Sequence, residues 1–368
     1  MKLVIDSKIP FIEGFAEQLG EVVYLPGASI TAADVRDADA LIVRTRTRCD
    51  RRLLEGSKVK FIATATIGFD HIDANYLKEA GISWTNCPGC NAPSVAQYVG
   101  NCLLLLAAHG CWHSDGLTAV DSLLTYKQRQ FFATHQWNDL VVGIVGVGHV
   151  GSQVLQRLRT WGFKEILCCD PLRAKREQGF VDICEIAERC DIITFHTPLT
   201  YSPEPYPTYH MASDAFFSNL GRCPVMINSG RGEVVDTQAL KEALKAGKLR
   251  AAVIDTWENE PNIDQELLDM VYIGTPHIAG YSADGKACGT RMALQATARF
   301  FGMDETLFDN ISAPELPADY AYYPQGEAHE LHEALCLYDP VRDYLNLRAT
   351  PQFFEKLRGD YPLRRERR

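Results

Sequence analysis

The chain has 368 residues, 46% of them apolar and 23% charged, which is enough to build a large core in two or three domains. A formal net charge of −10 excludes a broad nucleic-acid surface, and the apolar run from Cys102 to Ala108 is too short to span a membrane. Twelve cysteines scattered through apolar segments, with no leader-like stretch after Met1, are expected to be reduced, buried thiols of a cytoplasmic protein.

Residues 1 to about 90 alternate short apolar runs (KLVID, EVVYLPG, ADALIVRT, KFIATATIG and ISWTNCPG) with polar or helix-like segments, the pattern of a small parallel α/β domain. Open parallel sheets bind ligands beyond the carboxyl ends of their strands. Arg44, Thr45 and Arg46 follow one such run and Thr66 follows another, so these are candidate substrate residues. Two guanidinium groups suit a phosphate or carboxylate, although solvated loop arginines explain the first group equally well on spacing alone. Cys87-Pro88-Gly89-Cys90 has the spacing of a redox dithiol but reads as a structural turn, because no second C-x-x-C stands at zinc spacing. Residues 91–108 are expected to form a helix capped by Ser94, with Val95, Tyr98, Val99, Cys102, Leu103 and Leu106 on its apolar face.

The most informative stretch is LVVGIVGVGHVG, Leu140 to Gly151, an apolar strand running into a G-x-G-x-x-G turn. Gly146 permits the tight turn, Gly148 lets the backbone approach a pyrophosphate, and Gly151 permits close packing of the helix that His149 and Val150 open. Val150, Val154, Leu155, Leu158 and Trp161 fall on one face of that helix. The next run, EILCCD, ends in Asp170, placed to bind the adenosine ribose hydroxyls and to repel a 2′-phosphate, which favours NAD over NADP. Arg173 is close enough in sequence to serve a phosphate, though a surface arginine needs no ligand to explain it.

Four more apolar runs follow: CDIITFHTPL, PVMINSGRGEVVD, AAVIDTWENEP and VYIGTPHIAGYS. The last three deliver Arg231, Glu260 and His277 to the sheet edge that carries the glycine turn. A carbinol carbon releases hydride only if a base takes the hydroxyl proton, and neutral imidazole suits that task near neutral pH. His277 is the candidate base, Glu260 the carboxylate that fixes its tautomer, and Arg231 the anchor for a substrate carboxylate.

With those residues in place, the chain resembles the NAD-dependent D-2-hydroxyacid dehydrogenases. The resemblance runs from residue 1 to about 300 and is carried by IGFDHID, NAPSVAQYV, GIVGVGHVG, HTPL, INSGRGEVVD, VIDTWENEP and TPHIAGYS. It implies Arg231, Glu260 and His277 in the active site, NAD contacts from Asp170, Thr197, Ser229, Arg231, Asp255 and Gly280, and substrate contacts from Thr45, Thr66 and Tyr281. GYS after His277 and the closing FFEKLRGDYPLRRERR narrow the resemblance to members acting on a small phosphorylated 2-hydroxy acid, which strengthens the case for Arg44 and Arg46.

The implied fold is α/β. A Rossmann-like doubly wound parallel sheet (93–277) is inserted into a smaller flavodoxin-like substrate-binding domain (1–92 and 278–301), and a small α+β domain (302–368) makes a homodimer. No nucleic-acid, membrane or metal partner is expected. In particular His329-Glu330-Leu331-His332 lacks the spacing of a zinc helix, and RRERR, 364–368, reads as a solvated tail. A nucleotide sensor on the same fold, or an enzyme for 3-phosphoglycerate or an unphosphorylated acid, are the alternatives.

Overall fold

The computed structural model describes residues 1–108, 137–315, 333–362 and 364–366. The chain divides into two compact units, residues 1–91 with 282–316, and residues 92–281 with 317–368.

In the first unit five short strands, β1 (Lys2–Asp6), β2 (Glu21–Leu25), β3 (Ala40–Val43), β4 (Phe61–Thr64) and β5 (Ser83–Thr85), pair in parallel in the order β2-β1-β3-β4-β5. This is the flavodoxin-like order. Successive side chains point to opposite faces, so each run of consecutive apolar residues feeds two cores. Leu3, Ile5, Ile42 and Ala63 pack with Ala287, Ala293, Leu294 and Ala298 of the helix Ala283–Phe300. Val4, Leu41, Val43 and Ile62 pack on the other side with Leu53, Leu54, Tyr76 and Leu77.

In the second unit β6 (Val141–Val145), β7 (Glu165–Cys169), β8 (Ile192–Phe195), β9 (Val225–Asn228), β10 (Ala251–Ile254) and β11 (Ile273–Gly274) are again all parallel, in the order β11-β10-β9-β8-β6-β7. Phe180 adds one isolated parallel bridge to Cys168 beyond β7. The Rossmann order 3-2-1-4-5-6 is therefore present, with its outermost strand reduced to a single bridge. Among the described residues, all eleven strands lie within apolar runs picked out in the sequence.

The helix Ala92–Ala108 opens the second unit. Ser94 does not cap it: the residue lies in the first turn, where its hydroxyl donates to the Ala279 carbonyl at 3.0 Å. Cys87 and Cys90 are buried thiols of the first unit; burial raises the Cys87 thiol, whose Sγ donates to the Gly289 carbonyl at 3.2 Å. No described helix is long and apolar enough to cross a membrane, and no described group of side chains would hold a metal ion. His329, Glu330 and His332 lie outside the described residues.

Residues 302–368 differ most from the sequence reading. A piece this small buries too little apolar surface to be stable alone. Among the described residues, Phe308 and Ile311 join the core of the first unit, whereas Leu335, Tyr338, Val341, Tyr344, Leu347 and Phe354 join that of the second. Hydrogen bonds tie the helices Glu333–Leu337 and Pro340–Ala349 to the second unit, and the helix Phe354–Gly359 buries Phe354 in that unit's core. Asn101 Nδ2 donates to the Ala334 and Tyr338 carbonyls at 3.1 and 2.6 Å, and Tyr344 OH to the Leu268 and Val271 carbonyls at 3.3 Å each. Nor is the arginine run wholly a solvated tail, because the Arg364 side chain is 2% exposed.

Asp343 Oδ2 accepts from Tyr338 OH at 3.0 Å and Tyr361 OH at 2.9 Å. Burial pushes its pKa up from 3.8 to about 6, against the opposing charge of Arg364 and the two hydroxyls. As pH rises from about 4 to 6 the unfolded chain releases this proton while the folded protein retains it, so this group's contribution to stability falls across that window. In thermal melts, the wild type is therefore expected to lose ground to Asp343→Asn between pH 4 and 6.5. A pH-independent difference would contradict this.

Candidate active site

The glycine turn sits between β6 and the helix His149–Leu158. Gly146 has φ of +83°, and a Cβ there would lie 2.8 Å from Thr197 Cγ2 and 2.9 Å from the His196 carbonyl carbon. At Gly151 a Cβ would meet the Gly146 carbonyl oxygen at 2.1 Å. Gly148 is different: it is exposed, it precedes the helix, and a Cβ there would meet nothing within 4 Å. The turn thus leaves open the one position that a pyrophosphate must approach, and fills the space around the other two.

Asp170 follows β7. Its Oδ2 accepts from Val147 N and its Oδ1 from Arg173 N, each at 3.0 Å, so it braces the glycine turn while retaining lone pairs for further donors. Arg173 is a structural brace, with Nη1 donating to the Val147 carbonyl at 2.7 Å and Nε to Glu177 at 2.9 Å. Across the turn, His196 bonds Thr194 Oγ1 through Nε2 at 2.9 Å and Ser229 Oγ through Nδ1 at 3.2 Å. Burial lowers its pKa to about 3, so it is a neutral scaffold residue that holds Ser229. Thr197 Oγ1 is buried without a hydrogen-bond partner among the described residues. An orphaned hydroxyl beside an open glycine turn fits a dinucleotide that supplies the missing partner.

The strand register aligns Asn228, Ile254 and Gly274 at the ends of β9, β10 and β11. Arg231 follows three residues after the first, Asp255 one after the second, and His277 three after the third. Gly232 welds two of these loops together, since a Cβ there would sit 1.9 Å from the Trp257 carbonyl oxygen. Arg231 Nη1 donates to the Gly230 carbonyl at 3.0 Å, while Asn228 Nδ2 donates to the Arg231 carbonyl at 3.0 Å.

His277 Nδ1 lies 2.8 Å from Glu260 Oε2. The carboxylate accepts a hydrogen bond from Nδ1–H, which keeps the proton on Nδ1 and leaves Nε2 as the basic nitrogen. Glu260 Oε1 accepts from Trp257 N at 2.9 Å. Burial opposes its ionisation, but the charge and hydrogen bond of His277, the Trp257 amide and the Arg358 charge outweigh it and hold the carboxyl below its ordinary value. Glu258 does not compete for the imidazole, because it accepts from His210 Nε2 at 2.6 Å and Thr237 N at 2.9 Å.

Asp255 is 1% exposed, and both of its oxygens are engaged by the His277 loop. Oδ1 accepts from Thr275 Oγ1 at 2.6 Å and Ile278 N at 2.8 Å, and Oδ2 from Ala279 N at 3.0 Å. Because the Thr275 proton goes to Asp255, Tyr98 OH must be the donor in its 2.8 Å bond to Thr275.

In the first unit, Arg44 stands at the end of β3 and Thr66 just past β4, strands paired at Val43 and Thr64. Arg44 Nη1 donates to the Lys8 carbonyl at 2.8 Å, and Thr45 and Arg46 are exposed. Thr66 Oγ1 donates to the Gly68 carbonyl at 2.9 Å and, because that proton is used, accepts from Thr64 Oγ1 at 2.7 Å.

Sequence reasoning missed Trp257 and Arg358. Trp257 is 3% exposed, carries the Glu260 amide bond, and donates Nε1 to the Thr275 carbonyl at 2.9 Å. Its adjacency to Glu260 in DTWENEP was the available signal. Arg358 places Nη1 3.8 Å from Glu260 Oε2 and is hydrogen-bonded to the Tyr281 side chain. Nothing local in the sequence marks a residue so far along the chain as a neighbour of Glu260.

The profile of the D-isomer specific 2-hydroxyacid dehydrogenase NAD-binding domain matches residues 108–279. The erythronate-4-phosphate dehydrogenase of Bacteroides thetaiotaomicron is 50% identical over 370 residues, covering 100% of this chain and 97% of that protein. That of Bacteroides fragilis is 49% identical over 376 residues with the same coverage. Among solved structures, D-lactate dehydrogenase from Aquifex aeolicus complexed with NAD and lactic acid shares the fold, with a TM-score of 0.63 at 24% identity, covering 85% of this chain and 100% of that one.

The contrast between the glycines is testable. Gly151→Ala is expected to destabilise the protein by about 1–3 kcal/mol through overpacking. Gly148→Ala should melt like the wild type yet bind NAD about tenfold more weakly or worse by fluorescence titration. Unchanged NAD affinity in Gly148→Ala would remove the pyrophosphate from this turn.

Proposed function

The chain belongs to the erythronate-4-phosphate dehydrogenases of the D-isomer specific 2-hydroxyacid dehydrogenase family, and we propose that it oxidises 4-phospho-D-erythronate with NAD to 2-oxo-3-hydroxy-4-phosphobutanoate. It is an NAD-dependent dehydrogenase. One observation carries the chemistry: a histidine whose Nδ1 is tied to a carboxylate at 2.8 Å, on the sheet edge that also bears the glycine turn. The full-length likeness to relatives of that name supports the substrate.

Gly146, Gly148, His149, Val150 and Gly151 cradle the pyrophosphate, Asp170 takes the ribose hydroxyls, and Thr197, Ser229, Asp255 and Gly280 line the remainder of the NAD site. NAD, when bound, accepts the hydride that leaves C2. His277 Nε2 takes the C2 hydroxyl proton, and Glu260 stabilises the imidazolium that forms. Arg231 binds the substrate carboxylate and polarises the oxygen that becomes the carbonyl. Arg44 and Arg46, with Thr45, Thr66 and Tyr281, hold the rest of the substrate, the guanidinium groups answering its 4-phosphate. The product is a phosphorylated 2-oxo acid of the kind used to build pyridoxal 5′-phosphate, and residues 302–368 carry the homodimer contact.

Single-turnover NADH absorbance, with 4-phospho-D-erythronate beside 3-phosphoglycerate and D-lactate, tests the substrate. Reduction with the phosphoerythronate alone is expected, and equal reduction with D-lactate would remove the phosphate from the recognition. His277→Asn should abolish turnover while binding NAD, and Glu260→Gln should lower kcat by about 100-fold. Full activity in either variant would overturn the assigned acid-base pair.

A further inference from the structure

The arginine at position 364 is the most completely engaged side chain near the His277 loop, and it comes from the far end of the sequence. Its Nε donates to Gln97 Oε1 at 3.1 Å. Nη1 donates to the Ile278 and Tyr281 carbonyls, both at 2.9 Å. Nη2 donates to the Ala279 carbonyl at 2.6 Å and to Ser94 Oγ at 3.2 Å. The guanidinium lies over the Tyr338 ring, 3.9 Å from its centroid. Gln97 completes a clip by donating Nε2 to the Arg365 carbonyl at 2.9 Å.

Three of these acceptors, the carbonyls of residues 278, 279 and 281, lie within four residues of His277. The amides of Ile278 and Ala279 are already held by Asp255. Their peptide groups are thus gripped from both sides, N–H by a buried carboxylate and C=O by a buried guanidinium. The grip has something to hold: His277 has φ of +55°, a left-handed conformation that a non-glycine residue keeps only when its surroundings enforce it. Only a planar fork with five donors can bind three diverging carbonyls and two side-chain oxygens at once; a lysine ammonium cannot.

We propose that Arg364 is a positioning residue for His277, making the last segment of the chain part of what aims the imidazole. The proposal rests on the reading of His277 as the acid-base group. Arg364 touches neither His277 nor Glu260 with its side chain and acts through the backbone between them and the tail.

The test compares Arg364→Lys and Arg364→Ala with His277→Asn in the full chain. Readouts are kcat and KM for 4-phospho-D-erythronate, NAD affinity, melting temperature, and rescue by added guanidinium ion. Positioning predicts that Arg364→Lys, which keeps the charge and the fold, loses about 100-fold in kcat with NAD affinity within about threefold of wild type. It also predicts that guanidinium restores part of kcat in Arg364→Ala and none in His277→Asn. Wild-type kcat in Arg364→Lys would overturn the proposal even if its melting temperature fell, as would a folded Arg364→Ala that guanidinium cannot rescue. Turnover retained by His277→Asn would instead overturn the acid-base assignment beneath it.

Discussion

A carboxylate removed from water must have its lone pairs answered, or its ionised form is lost. Asp255 is the point at which this protein meets that demand, and the loop that carries His277 is arranged around it. Burial raises its pKa, while the His277 charge, the Thr275 hydroxyl and the amides of Ala279 and Ile278 pull the other way. Those partners all belong to one stretch, Thr275 to Ala279, so satisfying the carboxylate fixes the loop that carries the imidazole. The same loop is reached from β10 by Trp257, whose indole nitrogen holds the Thr275 carbonyl and whose amide holds Glu260. The His277–Glu260 contact is therefore held in place by burying two polar residues correctly, Asp255 and Trp257.

Charge is distributed with similar economy. His196 is half-buried and hydrogen-bonded between two hydroxyls; desolvation lowers its pKa, so it stays neutral and orients Ser229 without adding a positive charge beside the glycine turn. Burial opposes the ionisation of Glu260, but His277, the Trp257 amide and Arg358 together hold its carboxyl below the ordinary value. Glu258, two residues earlier, is consumed by His210 and the start of the helix Thr237–Lys245. Of two neighbouring carboxylates, the backbone thus delivers one to His277 and the other to His210 and the helix start.

The strands were legible in the sequence because parallel strands covered on both faces are written as unbroken apolar runs, and each ends in a glycine or a polar residue. The glycine turn, Asp170 and the Arg231, Glu260 and His277 set were legible for a related reason: each lies within a few residues of a strand end, where position along the chain is nearly position in space. Ser94 was misjudged because a serine near a helix start is usually a cap, whereas its real partner, Ala279, is 185 residues away. Arg364 was misjudged for the same reason on a larger scale. An arginine in RRERR looks solvated until Gln97, 267 residues earlier, and the carbonyls after His277 are known to face it. Long-range polar satisfaction leaves no local pattern, and it governs the parts of the site that sequence reasoning missed.

The near-absence of a strand beyond β7 has a consequence for how this protein behaves among its own copies. An open parallel sheet ends in unpaired amides and carbonyls that can template another chain. Here one border makes a single bridge at Phe180, with Val181 N donating to the Cys168 carbonyl, and the other is β11, only two residues long. The β11 border is too short to recruit a foreign strand, and at the five-residue β7 border the Phe180 bridge interrupts the free backbone near its carboxyl end. One border of a sheet made of apolar segments is thereby guarded against edge-to-edge aggregation by its brevity, and the other is blunted by a crossing segment at a single residue.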